Sequence, residues 1–573
     1  MEWKKNGTYT NIHDAIDSKS GGRADEFINP DETVYRIQNA EKMASVLKRF
    51  AMLNEPITIV GDYDVDGVHA TAGLYLALTE CGASNIRARL PRRMSEGFGL
   101  KETIIDEVPS GVLVTVDNGI AAIPAVKKAK EKGLTVLIID HHMPVMENGQ
   151  VILPPADLIV DPNVDDELLC KGTPSGSIFR SYCAAGLVYR IAGMMTPGTE
   201  TLSKISALAA IATVADVMPL IRDNRNIYKE GLRNIRRGYM TGGLKAIISQ
   251  MQTGGYVTER DIGFRIAPMV NAPGRVYDDG ATRAFHAVMC ENDATAFAAA
   301  EELKSINEDR KQMKKEAQER ANKLIAESYN SPANPIIVVD PETAEGIVGL
   351  VAGYIQEKYN ASSIVFTEKG DTYKGSARAG EDDNLKASLD KAHDINPSVF
   401  VAYGGHKGAA GVTIYKDKLK EFRELMEQVM APPKPKSEEM QYDLEITPAE
   451  IQKNLEELEG YVPFGEGNPK VVFKIRNFKL VPKGSAFYQE LGDDSVRFSG
   501  AGCDAIAFSL LDKYYAEGCP KEMDLIGTLG YYYMRGKAYP EIEIIDLKKS
   551  QTVVKKTALN SNIASLLAKN NFL

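Results

Sequence analysis

Asp62, Asp64 and Asp66 occupy alternate positions in the run Gly61-Asp62-Tyr63-Asp64-Val65-Asp66-Gly67. Carboxylates this close repel one another unless cations neutralise them, and hard divalent cations prefer oxygen ligands. The competing reading is an acidic loop that caps the following helix, with Asp66 as its N-cap. Further acidic or histidine-bearing turns recur along the chain: Asp117-Asn118-Gly119, Asp140-His141-His142, Asp161-Pro162-Asn163 and Ala215-Asp216-Val217. Together, Asp62, Asp64, Asp66, Asp117, His141, His142 and Asp216 could hold two divalent cations that share one bridging carboxylate. Mixed Asp and His ligation suits Mn²⁺, with Mg²⁺ as the second candidate. Two such ions roughly 3.5–4 Å apart clamp the attacking and leaving oxygens of an in-line displacement at phosphorus and acidify a water. The chemistry that follows is hydrolysis of a phosphoester or phosphoanhydride.

The elements that must position these residues can be read around them. Ile57–Val60, Val112–Val116, Thr135–Ile139 and Leu158–Val160 are short, β-rich runs, each closed by one of the acidic or His-bearing turns. If they form one parallel sheet, every such turn falls on the same edge. The stretches 123–132 and 183–195 suit crossover helices. The almost wholly apolar stretch 202–214 delivers Asp216, which needs a partner if buried, and a metal is the natural one. A helical region at 1–50, with Asp31 and Glu32 leading into an apolar face from Val34 to Phe50, precedes this lobe.

A charged helix over 294–329 reads as a solvent-bridging connector. A second α/β lobe opens with Ile336–Val339 and includes Ile364–Phe366. Ala431-Pro432-Pro433-Lys434-Pro435-Lys436 is a stiff, basic linker. Five short β-runs between 471 and 545 then fit a small β-barrel of the OB type. The expected domains are thus 1–50, 51–290, 291–330, 331–432 and 433–550, with a tail at 551–573. Phe487, Tyr488, Phe498, Tyr531, Tyr532 and Tyr533 could stack on bases, although strand alternation puts at least half of them in a core.

A chain of 573 residues is too long for one core. No apolar run approaches the ~20 residues that span a bilayer, and no signal peptide is evident, so a cytoplasmic location is expected. The six cysteines lack metal-ligand or disulfide spacing. A net charge of −10 argues against a uniformly basic surface but leaves local phosphate-binding patches open.

The four motifs 61–67, 116–119, 140–142 and 215–217 resemble, in order and spacing, the signature motifs of the DHH phosphoesterases. Within that superfamily the chain resembles the branch of single-strand-specific 5′→3′ DNA exonucleases. Asn271-Ala272-Pro273-Gly274-Arg275 is similar to that branch's phosphate-contacting segment. Gly404-Gly405-His406-Lys407-Gly408-Ala409-Ala410-Gly411 is similar to the glycine-rich signature of the DHH-associated domain, and Pro463–Pro469 to the loop leading into the OB-fold. The resemblance covers residues 25 to 548. It implies metal ligation by Asp64, Asp66, Asp117 (bridging), His141 and Asp216. Asp62 would join them or orient a water, and His142 and Asp161 would support the site or touch the scissile phosphate. Asn271 and Arg275 would hold phosphate oxygens, while Ser376, Arg378, Gly405 and His406 would grip the 5′ end from the facing lobe. Ala379 stands where that branch carries serine, which removes one hydroxyl donor.

Three functions compete. The first is a metal-dependent 5′→3′ exonuclease that degrades single-stranded DNA to mononucleotides in DNA repair and recombination, as a monomer working beside a helicase and a single-strand-binding protein. The second is a small-nucleotide phosphodiesterase, for which a long connector and an OB domain have no use. The third is a non-catalytic DNA-binding factor, a reading opposed by the complete set of ligands. The first is the expected function.

Overall fold

Ile57–Val60 is buried at every position, as a central parallel strand must be. In the computed structural model, which describes residues 2–29, 31, 33, 35–147, 149–164, 177–328, 333–432, 439–492 and 494–550, it lies inside a five-stranded parallel sheet. The strand order is Ile86–Arg89, Ile57–Val60, Val112–Val116, Thr135–Ile139, Leu158–Val160. The edge strand 86–89 escapes a pattern search because Arg87 and Arg89 alternate with apolar residues along it. Winding reverses between the first two strands in sequence and the third. The turns after Val60 and Val116 therefore flank the switch point, the crevice where open α/β sheets bind ligands. Helices Ala40–Met52, Val65–Glu80, Ala184–Met195 and Glu200–Ala215 bury their apolar residues against this sheet or one another.

The helix Asp293–Ser328 has 36 residues and so spans roughly 54 Å. It is docked at both ends: Ala296, Ala300 and Leu303 join the core of the first lobe, and Ala317, Ala321 and Ile325 that of the second. The expected connector is present, with a largely exposed middle, and small alanines supply the apolar face that docks each end. The second lobe is a five-stranded sheet in the order Ile336–Val339, Ser363–Lys369, Thr372–Arg378, Ala409–Tyr415, Phe400–Gly405. Only its first pair is parallel.

In the C-terminal domain seven strands form one sheet, running in order from Leu444–Ile446 to Tyr488–Leu491. The sheet has seven strands rather than the expected five, and it curls back on itself where the Val481 amide, just past the strand Phe473–Lys479, donates to the Ser499 carbonyl at 2.7 Å. Phe498 is core in it, at 1% exposure. Glu2–Lys5 is a strand that pairs in parallel with Glu439–Tyr442. Ile12, Ile16 and Phe27 pack into the C-terminal core, whereas the 40–52 helix packs on the first lobe. The N-terminal stretch is thus divided between two bodies. Glu32, Val34, linker residues Pro433–Lys436 and the tail 551–573 lie outside the described residues.

Several contacts seat the C-terminal domain on the first lobe, among them the Phe464 amide donating to Glu259 at 3.0 Å and the Leu220 amide donating to the Glu466 carbonyl at 2.8 Å. The hairpin tip donates from the Arg535 and Gly536 amides to the carbonyls of Gln252 and Thr253, at 2.7 and 3.1 Å. Arg225, buried, donates to the carbonyls of Phe27 (2.9 Å), Tyr461 and Pro463 (both 3.1 Å) and Val462. Between the contacts lies a cavity of about 1060 Å³ lined in part by Arg236, Phe264, Arg497 and Phe508. Arg225→Met keeps the bulk and leaves those carbonyls unsatisfied. It is expected to cost about 2–4 kcal/mol of stability, read as an earlier urea midpoint. An unchanged midpoint would show that the interface does not depend on Arg225.

Candidate active site

The turn after Val60 enters the helix Val65–Glu80 through Asp64, which caps it by accepting from the Gly67 amide at 3.2 Å. Asp66, expected as the alternative cap, instead lies in the first turn, buried. Its two oxygens accept from the amides of Ala184 (2.6 Å) and Ala185 (2.8 Å), at the start of the 184–195 helix. A helix N-terminus therefore fixes this carboxylate and offsets its charge. A Cβ at Gly67 would stand 2.6 Å from the Asp62 backbone, so the tight turn requires glycine there. Asp117 has φ 64, a left-handed conformation that Asp and Asn adopt more readily than other side chains. The neighbouring Asn118 holds the strand ends together, donating to the carbonyls of Val60 (3.1 Å) and Val116 (2.9 Å).

These turns converge on His141. Its Nε2 lies 3.1 Å from Asp117, 3.6 Å from Asp66 and 3.8 Å from Asp216. His142 Nδ1 lies 2.8 Å from Asp140 and 3.9 Å from Asp117. Asp140 also accepts from the amides of Ile120, His141 and His142, which explains how it orients the histidine pair. Two groups of potential ligands result: Asp117, His141 and His142, and Asp66, His141 and Asp216.

Electrostatically the cluster is short of positive charge. Burial and the Asp64 charge push Asp62 up to about 7. Burial and the nearby Asp66 and Asp64 push Asp216 up to about 8. Asp64 is raised by burial and Asp66, and Asp117 is raised well above the usual range by burial and the surrounding carboxylates. Burial lowers His141, which favours the neutral form a metal needs. For His142 burial acts downward, but the Asp140 contact outweighs it and carries the imidazole up to about 9. Asp216 Oδ2 is buried without a hydrogen-bond partner. Crowded carboxylates, an unpartnered buried oxygen and a neutral imidazole fit divalent cations, and the site can hold two.

Asp161 follows the last strand. Its Oδ1 accepts from the Asn163 amide at 2.8 Å, its Oδ2 is unpartnered, and burial together with Asp140 lifts it to about 8. Asp62 accepts from the Gly99 amide at 3.2 Å.

A basic cluster faces the acids across Tyr63. Arg275, half-buried, is pushed down to about 10 by burial and by the nearby Arg93, with Arg310 and Arg378 adding to the effect. The Arg93 guanidinium lies 4.5 Å above the Tyr63 ring, and its Nη1 is buried with no hydrogen-bond partner. Arg378 donates to Ser376 Oγ at 3.1 Å. A Cβ at Gly346 would fall 2.0 Å from the Arg275 carbonyl, so glycine lets the second lobe close directly onto this segment. Asn271 Oδ1 is buried and unpartnered nearby in sequence. Gly405 and His406 are exposed at the end of the Phe400–Gly405 strand. Sheet register sets Ala409 opposite Arg378, which places their loop beside it. Sequence reasoning missed Arg93, Arg310 and Asp140. The signals were the Arg92-Arg93 pair after the edge strand and the i, i+4 spacing of Arg310 and Lys314 on the connector.

Three family models match successive parts of the chain. The DHH family, N-terminal domain, matches residues 56–214, the DHHA1 domain 333–431 and the RecJ OB domain 442–546. The chain is 29% identical over 534 residues to the single-stranded-DNA-specific exonuclease RecJ of Escherichia coli, covering 89% of this chain and 90% of that one. It is 30% identical to the Salmonella typhimurium protein of the same name, covering 86% and 87%. The crystal structure of RecJ in complex with Mn²⁺ from Thermus thermophilus superposes with a TM-score of 0.73 at 25% identity, covering 94% of this chain and 76% of that chain. No helix among the described residues is long and apolar enough to cross a membrane. At that identity across nearly the whole length of its relatives, the chain belongs to the RecJ family of single-stranded-DNA-specific exonucleases.

Proposed function

We propose that this protein hydrolyses single-stranded DNA from the 5′ end, releasing 5′-mononucleotides in the crevice between its two α/β lobes. The observation that carries the polarity is the arginine cluster, which shares Tyr63 as a close neighbour with Asp62 and Asp64. An anionic terminus held by Arg93, Arg275 and Arg378 would present the next phosphodiester to the acidic floor. Guanidinium groups suit that task because their donors match phosphate oxygens.

Asp64, Asp66, Asp117, His141 and Asp216 would ligate two divalent cations, with Asp117 bridging. When bound, those ions neutralise charge at the scissile phosphate and acidify the attacking water. Asp62 orients that water. His142, protonated and held by Asp140 through Nδ1, turns Nε2–H toward the scissile phosphate. Asp161 supports the His141 loop, where Asn163 donates to the His141 carbonyl. Asn271 and Ser376 add polar contacts to the terminal phosphate, and Gly405 and His406 close over it. Arg310 and Lys314, both pushed down by burial, give the connector helix a basic face for the strand. Beyond them the strand would reach the C-terminal domain. The domains would divide the work, with 51–290 catalytic, 331–432 facing it, and 433–550 binding the strand. Because the substrate is single-stranded, a helicase that supplies it and a single-strand-binding protein that protects it are the partners in DNA repair and recombination.

The test uses Mn²⁺ and a long single strand labelled at either end, with a duplex and a dinucleotide alongside. Mononucleotides from the 5′ label with the duplex untouched support the reading. Cleavage of the dinucleotide alone would replace it with a small-nucleotide phosphodiesterase. Arg93→Ala is expected to lower kcat/KM ~10–100-fold on a 5′-phosphorylated strand and far less on a 5′-hydroxyl strand. Equal losses on both would remove Arg93 from the terminal phosphate.

A further inference from the structure

Two loops that carry site residues each place a large apolar side chain in solvent at the very next position. Val217, after Asp216, is 67% exposed, and Met143, after His142, is 72% exposed. Val217 is also conformationally costly. The 200–215 helix ends with the Met218 amide donating to the Thr213 carbonyl (3.0 Å) and the Val217 amide to the Val214 carbonyl (3.1 Å). That is a Schellman ending, with Val217 at the left-handed position where glycine is favoured. A β-branched residue there, at φ 55, is a genuine outlier. Fold stability alone would put glycine or asparagine at this site and would bury the valine side chain. Strain kept beside a reacting centre points to a contact made by that side chain.

The floor of the crevice is charged, and its phosphate grip is basic. What remains of a nucleotide, the sugar edge and base faces, is apolar by comparison. We infer that Val217, with Met143, forms an apolar wall against the sugar of the nucleotide being cleaved and so selects deoxyribose over ribose. A ribose 2′-hydroxyl pressed against valine and methionine would lose water without gaining a partner. An apolar surface that disfavours an added hydroxyl discriminates by up to ~10²-fold, which sets the size of the effect. The inference rests on the exonuclease reading above.

The experiment compares kcat/KM on 5′-phosphorylated single-stranded DNA and RNA of one sequence for the full-length protein, Val217→Thr and Met143→Gln. Threonine keeps the shape of valine and offers the 2′-hydroxyl a partner. The expected result is a DNA preference in the wild type that falls ~10-fold or more in Val217→Thr and in the same direction in Met143→Gln. Mn²⁺ affinity, measured by calorimetry, should be unchanged, which separates sugar selection from damage to the metal site. A DNA-to-RNA ratio within 2-fold of wild type in both folded variants would overturn the inference, as would a wild type with no DNA preference. A wild type that cuts neither strand would instead remove the exonuclease reading itself.

Discussion

Asp117→Asn is expected to abolish cleavage while leaving the protein folded. Asparagine tolerates the φ of 64 that Asp117 adopts, whereas alanine would add strain to the loss of charge. The substitution therefore isolates what the carboxylate does. Asp117 sits 3.1 Å from Nε2 of His141, the residue common to both groups of potential ligands. Losing a group that merely orients a ligand lowers metal affinity ~10–100-fold, so losing a bridging ligand should exceed ~10²-fold for Mn²⁺. The metal-free variant should be no less stable than wild type, since burial and its neighbours already disfavour the Asp117 charge. Calorimetric Mn²⁺ titration, thermal unfolding and the end-label assay together check all three statements. Mn²⁺-dependent cleavage at the wild-type rate would exclude the two-cation scheme.

Chelation should destabilise the protein, and more so at pH 8 than at pH 5. Asp62, Asp161 and Asp216 hold their protons up to about 7, 8 and 8 in the folded chain, against about 4 when unfolded. Over that window the folded state binds more protons than the unfolded one, so metal-free stability falls as pH rises from about 4 to about 8. His142, raised to about 9, adds a stabilisation present at low pH and lost through that value, in the same direction. Divalent cations displace the proton on Asp216 and, by their charge, favour the ionised forms of Asp62 and Asp161. At ~100 times Kd a single bound ion adds about 2.7 kcal/mol, or roughly 5–10 °C in Tm for a lobe of this size. Scanning calorimetry with Mn²⁺ and with EDTA should show a gap that widens from pH 5 to pH 8. A gap that narrows would mean the carboxylates are not the metal's ligands.

Much of this architecture is legible in the sequence. The acidic turns are contiguous, and short β-branched runs before them leave little choice but a parallel sheet with its turns on one edge. The DHH, DHH-associated and OB divisions were legible in the same way, through local motifs. What escaped depends on pairing across distance. Arg93 gains its meaning only when Tyr63 stacks beneath it and the second lobe brings Arg378 close. Strands 372–378, 400–405 and 409–415 carry glycines and polar residues that hide their period, because their loop ends serve the crevice. The two additional strands of the C-terminal sheet, 444–446 and 488–491, were not legible because each is only three or four residues long. Asp66 could not be separated from Asp64 as the cap without the 184–195 helix that claims its oxygens.

The parallel pairing of Glu2–Lys5 with Glu439–Tyr442 also sets a timetable for synthesis. The first strand of the chain leaves the ribosome some 440 residues before its partner does. At translation rates of roughly 5–20 residues per second, it waits about 20–90 s. The first lobe can fold during that interval, while Ile12, Ile16 and Phe27 remain without the core that will cover them. The nascent protein therefore carries an unpaired edge and an apolar patch through most of its making, and chaperone capture is expected to concentrate there.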